Sequence, residues 1–379
     1  MAKHTKLGVD QEFFKELREG SRTKQKIVFD YFIAYNRVMA NRCDKVGYAD
    51  LFAGPGNYGN YTKPDGSVQK SIPVMVTEAA VGNELFAQKV HLWFNEGDEG
   101  NFEKLTKAIG DVPGVASLKY KPAIQNKILD RTWVSKIKGV KVPTLLFLDP
   151  CGYKGLSLRL VQAALEGFGN DCIFFFNYSR INMKLDLEVM NESIDEFFEA
   201  GRAAALRAEI QNKSAPEREE IILGSVRKAL EDANAIPLIF KFKSENGRTS
   251  HHLVYASKDA KAAGMMKRIL KGTSSEVVDG VGSWEHDPRS RSSSLPLFGG
   301  IFELTDELLR KYRGRTIRFG EVLELEVLTQ YTGTNYRDAL LELEALGRVT
   351  IDPPANERAF QAGRTKKTLP ENALIKFRD

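Results

Sequence analysis

The sequence predicts an α/β protein in two parts, a doubly wound, Rossmann-like sheet followed by a small winged-helix domain. Short apolar runs alternate with helical segments between Val46 and Asn177. Some of these runs carry no polar residue, so both of their faces must be covered, as in a parallel sheet flanked by helices. The last block, 301–379, changes to helices followed by a short hairpin, the winged-helix arrangement.

Taken in order, Ser21–Arg42 reads as a long helix because Ile27, Tyr31, Phe32, Tyr35, Val38 and Met39 recur at helical spacing. Val46–Phe52 is the first strand, and a helix lies within Ser71–Lys89. His91–Asn95 is a strand and Glu99–Ile109 a helix. Ser117–Tyr120 reads as a weaker strand and Ala123–Lys138 as a helix. Thr144–Leu148 is a buried strand, Ser157–Glu166 a helix, and Cys172–Asn177 a strand that is apolar from Ile173 to Phe176. A charged helical insertion over about 183–232 precedes strands Pro237–Phe242 and His252–Ala256, which are joined by the turn Glu245-Asn246-Gly247. These elements make a first domain of 1–275. The Gly-, Ser- and Arg-rich stretch 276–300 reads as a linker. In the last block, Leu304–Tyr312, Phe319–Leu328 and Asn335–Leu346 are helices, and Arg348–Ile351 and Ala373–Phe377 are the strands of a wing. Asn335–Leu346 is the candidate recognition helix.

Composition narrows the class. Of 379 residues, 42% are hydrophobic and 28% charged, ordinary values for a globular protein. No window approaches the run of about 18 apolar residues that crosses a bilayer, and the first twenty residues lack the apolar core of a secretory signal. The cysteines Cys43, Cys151 and Cys172 are odd in number and form no C-x-x-C pair. That argues against a disulfide framework or a structural zinc. The expected setting is the cytoplasm, without a membrane. A net charge of +5 suits an acidic partner such as nucleic acid, though weakly.

Chemistry gathers at the expected C-terminal ends of the strands. The first strand runs into Asp50-Leu51-Phe52-Ala53-Gly54-Pro55-Gly56, where an open α/β sheet binds its ligand. Gly54 and Gly56 carry no Cβ to hold a ligand off the backbone. A dinucleotide site would open straight into a helix that takes the pyrophosphate. Here the polar stretch Asn57–Lys70 intervenes, which disfavours a nicotinamide dehydrogenase. D-L-F-A-G-x-G instead resembles the loop that class I methyltransferases place around the methionine moiety of S-adenosyl-L-methionine. Asp50, Phe52, Ala53, Gly54 and Gly56 are the expected cofactor contacts. Glu96, at the tip of the next strand, is expected to accept the ribose hydroxyls, with Asp98 as the alternative.

Asp149-Pro150-Cys151-Gly152-Tyr153 ends the fourth strand. It resembles the [D/N]-P-P-[aromatic] motif of amino-group methyltransferases. In that motif the acidic oxygen and the proline carbonyl accept hydrogen bonds from an exocyclic amine while the aromatic ring stacks on the base. Orientation of the amine supplies most of the rate gain. Asp149, Pro150 and Tyr153 are therefore the candidate catalytic residues. Cys-Gly between them departs from the motif, and Asp149 could instead cap the next helix. Cys151 after proline suggests a cytosine-C5 nucleophile, which would need a thiolate, but no second matching motif accompanies it. Arg180 and Asn182, in the polar run after the fifth strand, are candidates for contact with a base or phosphate.

These pieces together resemble the three-Cys-motif partner protein family (TcmP), a methyltransferase-like group. The resemblance is carried by Thr23-Lys24-Gln25-Lys26, Asp50–Gly56, Gly66-Ser67 with Ser71-Ile72-Pro73, and Asp149–Tyr153. It continues through Phe176–Asn182, His252–Ala256, Met265-Met266-Lys267 and the C-terminal winged helix. It implies a class I methyltransferase fold that binds S-adenosylmethionine, and a radical-SAM-like partner protein with three cysteines. The family's Gly-Ser-Pro signature is interrupted here.

For the C-terminal domain, Arg337 with Asn335 and Tyr336 could read base edges. Lys366 and Lys367 in the wing, with Arg358 and Arg364 and the cluster Lys311–Arg318, could contact phosphates. Residues 301–379 hold as many acidic as basic side chains, so a protein-docking role is the competing expectation. The functional expectation is methyl transfer to an exocyclic nitrogen of a nucleic-acid base. The alternative is a catalytically silent fold acting as a partner subunit.

Overall fold

The computed structural model describes residues 19–62, 68–150, 155–185, 191–290, 301–361 and 367–378. Helix α1 (Glu19–Arg42) precedes β1 (Val46–Asp50), and the hairpin β2 (Asn57–Thr62) and β3 (Val68–Lys70) leads to α2 (Ile72–Val81) and α3 (Glu84–Lys89). Next come β4 (Val90–Asn95), α4 (Glu99–Gly110), β5 (Ala123–Gln125), α5 (Thr132–Lys138), β6 (Thr144–Leu148), α6 (Leu158–Ala164) and β7 (Asp171–Phe176). Helices α7 (Tyr178–Leu185), α8 (Asn191–Phe198), α9 (Ala200–Glu209) and α10 (Ala215–Glu231) form the insertion. Strands β8 (Ile236–Lys243) and β9 (Thr249–Ser257) and helix α11 (Ala260–Thr273) follow, then the short strands β10 (Val277–Val278), β11 (Val281–Gly282) and β12 (Glu285–His286). The C-terminal domain comprises α12 (Ile301–Tyr312), β13 (Thr316–Arg318), α13 (Phe319–Leu325), α14 (Gly333–Ala345), β14 (Val349–Asp352) and β15 (Leu374–Phe377).

Among the described residues the main sheet has eight strands in the order β5-β4-β1-β6-β7-β9-β8-β12. Strands β4, β1, β6 and β7 pair in parallel, whereas β9 runs antiparallel to both β7 and β8. A chain that starts mid-sheet, steps out one way, returns and then reverses its penultimate strand has class I methyltransferase topology. The order switches between β1 and β6, which opens a crevice at the carboxyl ends of these strands.

Burial follows from the apolar runs. Strand β1 is buried at every position. One face of the sheet packs on α1 through Ile27, Tyr31 and Phe32, with Leu105 and Ile109 of α4 and Met266 of α11 in the same cluster. The other face packs on α5, α6 and the insertion. Each such large apolar side chain contributes about 1.5–3 kcal/mol when fully buried. Helix α1 is also pinned by polar contacts, since the Tyr31 hydroxyl donates to Asp171 at 2.5 Å and meets Tyr255 Oη at 2.6 Å.

Three expectations need correction. The strand expected at Ser117–Tyr120 is a short 3-10 turn at Val115–Ser117, and the edge strand lies at Ala123–Gln125, inside the segment read as helix. Pro122 disfavours helical backbone just before it, and Ile124 pairs opposite Phe94. The polar run Asn177–Asn182 is mostly the first turns of α7, with the Asn177 side chain accepting from the Arg180 amide at 3.3 Å. The stretch 277–286 is not linker: β12 adds to the edge of the main sheet beside β8, and Trp284 joins the core under α1. No described helix is long and apolar enough to cross a membrane.

Candidate active site

The crevice is built from the tips of β1, β4 and β6. Asp50, the last residue of β1, is buried, and its Oδ1 accepts the Phe52 amide at 3.1 Å. Burial pushes this carboxyl up to about 8; the neighbouring negative charges of Asp149 and Glu96 act in the same direction, while the Phe52 hydrogen bond and Lys24 oppose it. The chain then reverses. The Ala53 amide donates to Asn95 O at 2.9 Å, and Gly54 and Gly56 take φ of +68° and +83°, a region that costs other residues roughly 1–2 kcal/mol.

The two glycines differ in purpose. A Cβ on Gly56 would lie 2.7 Å from Ala108 Cβ and 3.2 Å from Leu105 Cα, so this position is kept bare by packing against α4. A Cβ on Gly54 would meet nothing within 4 Å. Of the pair, Gly54 is the one that faces open space.

Glu96 closes the turn. Its Oε2 accepts the Gly54 amide at 2.8 Å and its Oε1 accepts the Asp98 amide at 2.8 Å. Each oxygen keeps a second lone pair for another donor. Asp98 instead caps α4, accepting the Asn101 amide at 2.9 Å. Asn95 was not anticipated. Fully buried, it donates from Nδ2 to Leu51 O at 3.1 Å and Lys127 O at 2.9 Å, which ties three loops together at the crevice.

Asp149 and Pro150 leave β6 part-buried beside Asp50. Asp149 Oδ2 forms an ion pair with Lys24 of α1, and the same ammonium sits 4.4 Å from the centroid of the Phe175 ring. Lys24 and Phe175 were also missed as site residues, although Lys24 lies within the Thr23–Lys26 motif. The Lys24 ammonium thus takes the Asp149 carboxylate that the sequence assigned to a target amine, while its aromatic contact is Phe175. Tyr153, Cys151, Gly66 and Ser67 lie outside the described residues.

The nucleic-acid candidates are not brought to the crevice as a group. Arg180 is exposed on α7, whereas Asn182 is committed to Arg218, whose Nε donates to its Oδ1 at 2.7 Å. In the C-terminal domain Asn335 and Tyr336 are buried and cannot read base edges. Asn335 caps α14 with Thr332 and donates to Gly280 O at 2.9 Å, and the Tyr336 hydroxyl meets Thr329 Oγ1 at 2.7 Å. Arg337 is part-buried, 5.8 Å from the Phe319 ring centroid. Lys367 donates to Arg358 O at 3.0 Å and sits 3.7 Å from the Phe360 ring centroid, and Arg358 is itself buried against Glu344. Lys366 and Arg364 lie outside the described residues.

The crevice therefore brings together the carboxyls of Asp50, Glu96 and Asp149, the last paired with Lys24, beside open backbone at Gly54. That arrangement favours a cationic ligand that also presents hydroxyl donors.

Residues 288–356 match the family described as GMT-like wHTH domain. Comparison with curated proteins gives no sequence match. Among solved structures, the chain is similar to the methyltransferase domain of bacterial CtHen1-C, with 8% identity, a TM-score of 0.33, and coverage of 62% of this chain and 98% of that one. It is similar to magnesium protoporphyrin IX methyltransferase (ChlM) from Synechocystis PCC 6803 with bound SAH, at 10% identity, a TM-score of 0.31, and coverage of 66% and 94%. It is also similar to the glycopeptide N-methyltransferase MtfA complexed with sinefungin, at 11% identity, a TM-score of 0.30, and coverage of 60% and 85%. At such scores the class I assignment rests on the strand order of the sheet.

Proposed function

We propose that the protein is a cytoplasmic S-adenosylmethionine-dependent methyltransferase acting on an exocyclic nitrogen of a nucleic-acid base. The observation that carries this reading is the grouping of the Asp50, Glu96 and Asp149 carboxyls at the switch point of a class I sheet, with Lys24 paired to Asp149. S-adenosylmethionine is a cationic nucleoside, so its charge and its ribose hydroxyls match what the crevice offers. The bare backbone at Gly54 fits close approach of such a ligand. Asp50, Phe52, Ala53 and Gly54 would hold the aminoacyl end and Glu96 the ribose, with Gly56 shaping the loop behind them. When bound, the group supplies an electrophilic methyl. The protein's part is to orient the acceptor nitrogen with Asp149, Pro150 and Tyr153 and to exclude water.

One observation favours a second reading. Asp149 is already engaged by Lys24, as suits a fold that binds the donor without transferring its methyl and serves as the partner subunit of a three-Cys-motif, radical-SAM-like protein. The test has two stages. Calorimetry should show saturable binding of S-adenosylmethionine by the wild type and a loss in Asp50→Asn. Incubation with methyl-labelled donor and total RNA or DNA should then move label into nucleic acid. Binding without any transfer supports the partner reading, and absence of binding removes both.

A further inference from the structure

The C-terminal domain carries a charge arrangement that the recognition-helix expectation does not use. Strands β13, β15 and β14 form a three-stranded antiparallel sheet with β15 in the middle. One face, with Ile317, Val349, Ile351, Ile375 and Phe377, is the core of the domain. On the other face alternation exposes Thr316, Arg318, Arg348, Thr350, Lys376 and Arg378. Lys376 sits between Thr316 on one side and Thr350 on the other. The Arg378 amide donates to Arg348 O at 3.4 Å, so these two residues are neighbours across the strands. Asp352 lies beside Leu374 at the far end of this face, and the Glu321 carboxylate accepts the Arg318 amide at 3.4 Å.

The domain is neutral as a whole, yet four cations are gathered here while its acids lie largely elsewhere. Glu326 is buried against Lys311 and the Tyr312 hydroxyl, Glu344 is bound to Arg358, and Glu371 pairs with Lys261 of the first domain. Residues two apart on a strand are separated by about 7 Å. That is close to the axial rise of two phosphates on one nucleic-acid strand, about 3.4 Å each. Threonine hydroxyls flanking a lysine supply neutral phosphate donors of the kind that fix register on a backbone. Helix α14 offers the opposite, with Asn335 and Tyr336 of its first turn buried and Asp338, Glu342 and Glu344 along its length.

We propose that the outer face of this sheet, through Arg318, Arg348, Lys376 and Arg378, docks the phosphate backbone of a nucleic acid. The inference rests on the nucleic-acid reading above and deepens it. Contact is sequence-independent and electrostatic, and the sheet replaces α14 as the primary binding element.

The experiment uses the full chain and fluorescence anisotropy with a labelled duplex DNA and a labelled single-stranded RNA across a salt series. The triple variant Arg348→Glu/Lys376→Glu/Arg378→Glu should lose at least tenfold in affinity for its nucleic acid. The slope of log affinity against log salt should fall by roughly 3, the value for three lost phosphate contacts at about 0.9 each. Arg337→Glu and Lys367→Glu should each change affinity less than twofold. All variants should keep the wild-type affinity for S-adenosylmethionine, which separates failure at this face from failure at the crevice. An unaltered triple variant, a larger loss in Arg337→Glu, or wild-type binding to anionic vesicles but not to either nucleic acid would overturn the proposal.

Discussion

A carboxyl buried like that of Asp50 keeps its proton until about pH 8, against about 3.9 in an unfolded chain. Between those values the folded state binds more protons than the unfolded state. The sign is therefore fixed: this residue makes stability fall as pH rises from about 4 to 8. Asp50→Asn should flatten that part of the curve, measured as the difference in chemical-denaturation stability between variant and wild type at pH 5, 6.5 and 8. A cationic donor prefers the ionised carboxylate, so wild-type affinity for S-adenosylmethionine should climb as pH approaches 8. At pH 8.5 the Asn variant should bind roughly tenfold to a hundredfold more weakly, the value of one charge-assisted hydrogen bond. Lys24→Met removes the cation that helps Asp50 ionise, so the midpoint of the affinity profile should move to higher pH. An unshifted midpoint would show that Lys24 acts only on Asp149. The positions of Asp50, Gly54 and Glu96 at the strand tips were legible in the sequence because each ends or follows a strand of recognisable pattern. Lys24 and Phe175 were not, since their roles depend on α1 crossing the sheet, a tertiary fact without local trace.

The glycine turn after β1 makes two substitutions diverge. Gly56→Ala drives a methyl into α4, and overpacking of this kind costs about 1–3 kcal/mol, so the midpoint of urea unfolding should drop. Gly54→Ala meets no atom and costs only the left-handed backbone, about 1–2 kcal/mol, yet it places a methyl on the open side of the turn. Its signature should be weakened donor binding with a smaller loss of stability than Gly56→Ala, which bears the same left-handed backbone cost on top of its clash, and the two readouts together distinguish ligand-facing from packing glycine. In the C-terminal domain, Thr332→Ala removes the side chain that caps α14 and fixes Asn335. A loss of about 1 kcal/mol should appear in thermal denaturation. Most helices and the buried strands were readable from periodicity, because a continuous apolar run has one stable disposition. The edge strand β5 was misread because three residues carry too little pattern, and the sequence around Pro122 resembles a helix start. The C-terminal helix was placed correctly, but its outward face was misjudged. Asn335 and Tyr336 look like base readers until their burial against Gly280 and Thr329 is seen.

The sheet and the winged helix meet through a second buried ionisable group. Lys267 of α11 is buried, donates to Glu326 O of the C-terminal domain at 3.2 Å, and is pushed down to about 8 by desolvation. Its effect has the opposite sign to that of Asp50. Between about 8 and the ordinary lysine value of about 10.4 the unfolded chain holds the extra proton, so stability rises with pH in that window. Lys267→Met should abolish the rise, read as a lost difference between pH 8 and pH 10 in urea midpoints. The order of domains was legible from composition, but their boundary was not, because glycine and serine mark both tethers and tight turns. Here the stretch 277–286 makes turns: β12 is the outermost strand of the main sheet, and Val281 enters the winged-helix core. A fragment cut after residue 276 would consequently leave β8 with a bare margin of unpaired amides and the neighbouring module with a hole. Such a fragment should clump on expression, whereas one extended through residue 290 should stay dispersed.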